Sequence, residues 1–351
     1  MFEKDQSMKE FLKPSVLTDS DGNPRKTGFE FEFGNLSVKQ TAQSLRSVIG
    51  GKIVAKNPFL YEIHDSRLGK LRIERDASML KSRKYRKWLE DLKIDFSPDT
   101  LTTEIEEGVD RLSSYLIPCE IVTEPLLFED FDILPEIIAA LVPLEAEGTQ
   151  ESFLYAFGLH MNPSVPDLQA ETLTGYIQGF LLMTDWIIAD SGTDFSRRYF
   201  TKFIDPFPSA YIEKVLHKKY RPDISEFMAD FLEFNPTRNR ALDLLPLLAV
   251  IDEKKVLAMV AGDEKELINP RPAFHYRLAD CRIGDSRWSI AGEWNRWWYV
   301  ERLAADASIR NKLLTDWHEN SDAFFLDRKK NWIAHIDDFL KRHLQIPPGT
   351  S

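Results

Sequence analysis

Residues 28–34, "GFEFEFG", alternate Phe29, Phe31 and Phe33 with Glu30 and Glu32. A period of two predicts a strand with three aromatic rings on one face and two carboxylates on the other. Helical spacing follows in "SVKQTAQSLRSVIGG", which stops at two glycines. Strand alternation returns in "KLRIERDASM", where Leu71 and Ile73 share a face, and another strand ends in "IPCEIVTEPL". "PEIIAALVPLEAEG" predicts a helix with Pro135 in its first turn and Pro143 bending or ending it. "FLYAFGLHMNPSV", 153–165, reads as a strand that closes in a turn, and "YRKWLEDLKI" fits either state.

From there the pattern is mostly helical. "DLQAETLTGYIQGFLLMTDWIIAD" runs long and apolar behind Asp167, an N-cap candidate. "SEFMADFLEF" and "ALDLLPLLAVIDEKKVLAMV" are helical too, with Pro246 as a kink or a start. "RPAFHYRLADCRI", 271–283, is strand-like; "WSIAGEWNRWWYVERLAAD" and the C-terminal segments are helical. Strands come early and once late, with helices filling the second half. That order predicts an α+β fold with an antiparallel sheet and a largely helical C-terminal half. Residues 1–26 read as a loosely held lead-in ending in the turn-rich "TDSDGNPRKTG". Residues 27–345 read as a single domain, with a helical insertion about 167–260.

The bulk numbers narrow the class. A chain of 351 residues fits one large or two intimate domains, and 23 Phe and 8 Trp predict a bulky core. The net charge of −11 argues against a nucleic-acid binder but allows a locally basic pocket. Two cysteines, Cys119 and Cys281, make neither a disulfide framework nor a cysteine zinc motif, so a reducing cytoplasm is expected. The opening "MFEKDQSMKEFLKP" has no apolar run, so neither signal peptide nor membrane span is expected.

The acidic strands carry the candidate chemistry. Glu74 and Asp76 repeat the i, i+2 spacing of Glu30 and Glu32, Glu120 and Glu124 lie in or after a third strand, and His160 sits in a fourth. Carboxylates presented on one sheet face by neighbouring strands suit a hard cation such as Mg²⁺, which prefers oxygen ligands shared with substrate phosphates. The plainer reading is a solvated sheet face, with Arg72 and Arg75 pairing Glu74 and Asp76. Neither GxGxxG nor GxxxxGK[ST] is present, so a nucleotide would need another device.

On the basic side, Arg271, Arg277, Arg282 and Arg287 crowd one stretch. His275 and Arg277 share a strand face, and Arg282 follows Asp280 at i, i+2. Guanidinium groups grip phosphate and carboxylate in bidentate fashion. Arg238 and Arg240 fall at an expected helix start, where backbone N–H groups also favour anions. Arg287 reads as solvated surface. Trp294, Trp297 and Trp298 form one helical stripe and read as core. Cys281, flanked by Asp280 and Arg282, lacks any signature of a nucleophile.

The ordered set "GFEFEFGN", "RIERDASM", "PCEIVTEPL", "FGLHMN", "TRNRALDLLPL" and "FHYRLADCRI" resembles the amidoligase family, ATP-dependent carboxylate–amine ligases related to glutamine synthetase and glutamate–cysteine ligase. The resemblance runs from about residue 27 to residue 305. It implies a glutamine-synthetase-like catalytic domain whose sheet cups ATP and Mg²⁺ or Mn²⁺. Glu30 and Glu32 match the family's first-strand acidic pair, Glu74 or Asp76 the second-strand position, and Glu120 the third. His160 matches a histidine expected near metal and phosphates. Asp280 and Arg282 fall on a Glu-x-Arg pair, with Arg277 a further phosphate contact. Asp280 departs from the usual Glu, and Asn162 stands where many relatives have a second His.

The resemblance implies a ligase that couples a small-molecule or peptide carboxylate to an amine through an acyl phosphate. A metal-dependent hydrolase using the same carboxylates, or a binding scaffold with no catalysis, are the alternatives. The sequence identifies neither the substrates nor the oligomeric state.

Overall fold

Three phenylalanines set the first strand. In the computed structural model, which describes residues 10–57, 59–75, 118–148, 157–192, 204–319 and 325–344, β1 (Lys26–Phe33) buries Phe29, Phe31 and Phe33 completely. The chain divides into two compact units: Gly28–His160 with Asp280–Trp288, and Met1–Thr27 with Met161–Ala279 and Ser289–Ser351. Pairing is antiparallel between β1 and Cys119–Thr123, Lys52–Asn57 and Leu60–Ser66, Leu60–Ser66 and Gly69–Arg75, Gly69–Arg75 and Cys119–Thr123, and Leu242–Asp243 and His275–Asp280, and the fold is α+β.

In the first unit, strands β2 (Lys52–Asn57), β3 (Leu60–Ser66), β4 (Gly69–Arg75) and β5 (Cys119–Thr123) precede β1 in the order β2-β3-β4-β5-β1. The short β6 (Leu126–Leu127) also pairs with β1, and β7 (Gly158–Pro163) follows it. The inner face carries Phe29, Phe31, Phe33, Leu71, Ile73, Cys119 and Ile121, all fully buried. Helix Val38–Ile49 contacts β3 and β4 and buries Val38, Ala42, Leu45 and Ile49. Its start is fixed by a capping box: Ser37 accepts from the Gln40 N–H, and the Gln40 side chain returns to the Ser37 N–H. Helix Leu134–Leu141 packs on it, with Pro135 in its first turn and Pro143 in the 3₁₀ turn that ends it. The outer face of the sheet carries Glu32, Glu74 and Glu120, while Arg75, opposite Cys119, is buried on the inner face.

The second unit takes Met161–Pro163 of β7, then His275–Ala279 of β9 (His275–Asp280) and β8 (Leu242–Asp243), in the order β7-β9-β8. Helix Ala170–Ser191 lies at its centre and packs chiefly on helix Ile290–Ala305. Gly175 and Gly179 make that approach possible. A Cβ at Gly175 would stand 3.0 Å from the Ala304 carbonyl oxygen, and one at Gly179 3.2 Å from that of Val300. Tyr176, Phe274, Tyr276 and Trp297 interlock beside this crossing. The stripe Trp294, Trp297 and Trp298 is buried, as its spacing predicts.

Several expectations need correction. The lead-in is not loose over its second half. Trp294 and Trp298 donate their indole N–H to the carbonyls of Leu12 and Lys13, and Asn295 pairs with the backbone of Leu12 and Glu10. A buried indole N–H needs an acceptor, and the lead-in supplies it. Asp167 is not the N-cap: that place belongs to Gln169, whose N–H donates to Asp167 Oδ1 at 2.8 Å. Pro246 starts helix Leu245–Met259, one of its two expected roles, and the interruption lies at Asp252. Arg238 and Arg240 precede β8 rather than a helix, and Arg240 is buried against Asn235, Pro206 and Phe234. Asp76, residues 153–156 and "YRKWLEDLKI" lie outside the described residues. Among the described residues, no helix is long and apolar enough to cross a membrane.

Candidate functional site

Strand register turns scattered carboxylates into a row. Glu32 on β1 stands opposite Glu120 on β5, and Glu120 stands opposite Glu74 on β4. Three strands thus present one carboxylate each, side by side on the outer face. Like charges directly opposite one another destabilise a sheet. A bound cation is the simplest thing that would reverse that cost.

His160 closes the row at the β7 end. Its Nδ1 lies 3.0 Å from Glu30 Oε2 and its Nε2 lies 3.8 Å from Glu32 Oε1. The other oxygen of Glu32 accepts the Gly158 N–H at 2.7 Å. Ligand atoms of Glu32, Glu120 and His160 all fall within 4.8 Å of one another. Atoms bound to one cation at about 2.1 Å are roughly 3–4 Å apart, so small side-chain rotations would bring this set onto a divalent ion. A histidine among carboxylates also admits Mn²⁺. Glu30 differs from its neighbours. It holds the far nitrogen of His160, the position from which a carboxylate fixes the ring's tautomer and aims the remaining nitrogen. Glu74 stays in the row, but its Oε1 pairs with Arg72 at 2.7 Å. The ion-pair reading of that residue therefore holds beside the ligand reading.

Gly158 is a site residue that charge patterns miss. A Cβ there would lie 2.7 Å from His160 Nε2 and 3.2 Å from Glu32 Oε2. Only a residue without a side chain leaves room for both. Its signal was present: in "GLH", Gly158 and His160 are two apart on one strand face.

Asp280 and Arg282 belong to the same unit as the row. The Cys281 N–H donates to the Phe157 carbonyl at 2.8 Å, which seats this segment beside Gly158. Asp280 and Cys281 are buried, and Arg282 Nη2 pairs with Asp285 at 2.6 Å. Arg287 is exposed, as its reading predicts, and also reaches Asp285. Burial works to raise the Asp285 pKa, but hydrogen bonds from Arg287 and the charges of Arg282 and Arg287 hold it below the usual carboxylate range.

The remaining candidates cluster in the other unit. Arg238 donates through Nε to Asp243 Oδ2 at 2.9 Å and through Nη1 to the Leu267 carbonyl, and its Nη2 faces His275 Nδ1 at 3.0 Å. Arg277 Nη1 donates to the Arg238 carbonyl at 2.7 Å. Asp243 is fully buried; burial alone would raise its pKa, but the hydrogen bond to His275 and the Arg238 charge keep it low. His275 Nδ1 also lies 3.3 Å from Asp243 Oδ2. A ring nitrogen either donates or accepts, so it serves Arg238 or Asp243 but not both. Asn162 accepts from Arg271 at 3.2 Å.

No curated protein and no solved structure gives a significant match to this chain. A family model does, over residues 23–299, and it spans the acidic strands, the His160 strand and the late arginine strand alike. The chain therefore belongs to the family described as "Putative amidoligase enzyme".

Proposed function

We propose that the protein is an ATP- and divalent-cation-dependent carboxylate–amine ligase whose reaction takes place on the carboxylate row. The observation that carries this reading is the Glu32–Glu120–Glu74 alignment closed by His160 in a member of an amidoligase family. In this reading Glu32, Glu120 and His160 hold the cation, Glu74 supports them, and Glu30 orients His160. A bound Mg²⁺ or Mn²⁺ would offset negative charge on phosphate oxygens.

The chain's own groups divide the remaining work. Joining a carboxylate to an amine in water is uphill, so the carboxylate oxygen first takes the terminal phosphoryl group of ATP and ADP leaves. The amine nitrogen then attacks the acyl carbon, the carbon–oxygen bond to phosphate breaks, and the ammonium proton passes to a carboxylate of the face. In this reading Arg282, which pairs with Asp285, would bind the transferring phosphoryl group. Asp280 is 2% exposed, which suits a positioning group better than a proton acceptor that must reach an amine.

Thermal unfolding with the cation alone, with Mg²⁺–ATP and with Mg²⁺–GTP tests the reading in wild type and Glu120→Gln. A ligand at about 100 times its Kd raises stability by roughly 2.7 kcal/mol. Stabilisation by Mg²⁺–ATP that Glu120→Gln abolishes is the expected result. Equal shifts in both proteins would remove the row from nucleotide binding. Stabilisation by the cation alone, with no nucleotide effect, would favour a metal-dependent hydrolase.

A further inference from the structure

The turn that carries Arg282 is built as one piece. The Asp285 N–H donates to the Arg282 carbonyl at 3.1 Å, and Arg282 Nη2 donates to Asp285 Oδ2 at 2.6 Å. Gly284 closes the turn at a φ of 93°, a left-handed value that a side chain would oppose. Cys281 and Ile283, on either side of Arg282, are buried. A guanidinium fixed to its own turn moves when the turn moves, so the seat of the turn decides where Arg282 acts. At 11% exposure the Arg282 side chain is largely out of water, a cost that a loop seated for stability alone would not need to carry.

Two close approaches set that seat, all within the unit that holds the carboxylate row. Phe157, whose carbonyl takes the Cys281 N–H at 2.8 Å, lays its ring against Gly34 just past the end of β1. A Cβ at Gly34 would stand 3.0 Å from Phe157 Cζ. Gly34 exchanges backbone hydrogen bonds with Glu147, at 2.9 and 3.2 Å. The next residue, Gly148, meets the turn directly. A Cβ there would lie 2.7 Å from both the nitrogen and the carbonyl oxygen of Ile283, and 2.9 Å from the carbonyl carbon of Arg282. All three are backbone atoms, so no side-chain rotation would relieve the contact. The same strand ties the turn to the row: Phe157 takes the Cys281 N–H, and the following Gly158 N–H donates to Glu32 Oε2.

We infer that Gly148 is a positioning residue: by leaving room for the backbone of Arg282 and Ile283, it fixes the Arg282 guanidinium relative to Glu32 and the carboxylate row. The inference rests on the ligase reading for the phosphoryl group that Arg282 would bind, but not for the seat itself. A side chain at position 148 would push the turn, and the guanidinium paired within it, away from its seat. Glu32, Glu120 and His160 do not touch Gly148 and would stay where their own contacts hold them. In an oriented site a displacement of about 1 Å can cost about a hundredfold in rate.

The test compares wild type with Gly148→Ala, Arg282→Gln and the double variant, each as the full chain. It reads the Arg282 Nε–H resonance in a heteronuclear NMR spectrum, identified by its loss in Arg282→Gln, together with Mn²⁺ affinity and Mg²⁺–ATP affinity from thermal unfolding. The resonance should move in Gly148→Ala, while Mn²⁺ affinity stays within about twofold, the scatter of independent sites. Mg²⁺–ATP affinity should fall at least about tenfold in Gly148→Ala, the scale of one hydrogen bond to a charged group. The double variant should lose no more than Arg282→Gln alone. If Gly148→Ala does not fold, Gly34→Ala, whose looser contact falls on the Phe157 ring, is read in its place, with smaller changes of the same kind. An unmoved resonance in the folded variant overturns the inference. Losses of Mg²⁺–ATP affinity that multiply in the double variant overturn it too, because Gly148 would then act apart from Arg282, and so does loss of Mn²⁺ affinity, because the row itself would have shifted. A resonance that moves in Gly148→Ala, in a protein whose wild type Mg²⁺–ATP does not stabilise, supports the seat and removes the ligase reading instead.

Discussion

Glu120 stands between two other carboxylates, and that position has opposite consequences with and without a cation. Neutralising it relieves like-charge repulsion, so Glu120→Gln should raise the stability of the cation-free protein by about 0.5 kcal/mol. The same change should abolish the Mg²⁺–ATP shift. A destabilised cation-free variant would mean that the three groups do not repel in the fold. Gly158→Ala should fail differently. Its Cβ would press on His160 Nε2, so the variant should fold but lose affinity for the cation, seen by titration with Mn²⁺. Unchanged Mn²⁺ affinity would remove His160 Nε2 from the ligand set. The carboxylates were legible because alternation exposes them: Glu30 and Glu32 sit between buried phenylalanines. Their different duties were not, because the contact separating Glu30 from Glu32 comes from His160, 130 residues away for Glu30.

At the scale of elements, local signals were read where they were local. β1, β4, β5 and the core of β7 follow period two, β9 is buried on both faces, and Pro135 and Pro246 mark true helix starts. The hairpin β2–β3 was not anticipated, although Tyr61 and Ile63 alternate with Glu62 and His64. With it went the ion pairs that Glu62 makes with Lys56 and Lys70. β6 and β8 have two residues each, too few for any periodicity to show. The loose lead-in failed for another reason: its anchors are indole donors on a helix 282 residues later, for which no local signal exists. One element offers a clean check. Helix Val38–Ile49 covers β3 and β4 and starts at a reciprocal cap, so Ser37→Ala should cost about 1 kcal/mol in chemical denaturation. A change below a few tenths would show that packing alone fixes the helix start.

For the whole molecule, four carboxylates among the described residues shift in the same sense. Asp19, Glu62, Asp243 and Asp285 all have pKa values below those of an unfolded chain. A depressed folded pKa adds stability that is fully present above the unfolded value and is lost as pH falls through the folded one. Stability should therefore hold at neutral pH and decline as pH drops below about 4.5 toward about 2, the interval that Glu62 defines. Equilibrium unfolding between pH 6 and pH 3 checks this, and Glu62→Gln should flatten the lower part of the curve. A profile that is level across that range would mean that these carboxylates keep similar affinity for protons after unfolding.

The indole anchors carry a consequence for synthesis. Leu12 and Lys13 leave the ribosome 282 and 285 residues ahead of the tryptophans that hold them. At about 5–20 residues per second, that separation corresponds to roughly 15–60 seconds of waiting. During this interval the segment has no native acceptor role to play, and the unit it belongs to cannot finish folding. Maturation of this unit is therefore a late event, set by the arrival of helix Ile290–Ala305, and a chain stalled before that helix would present its early residues to chaperones and proteases.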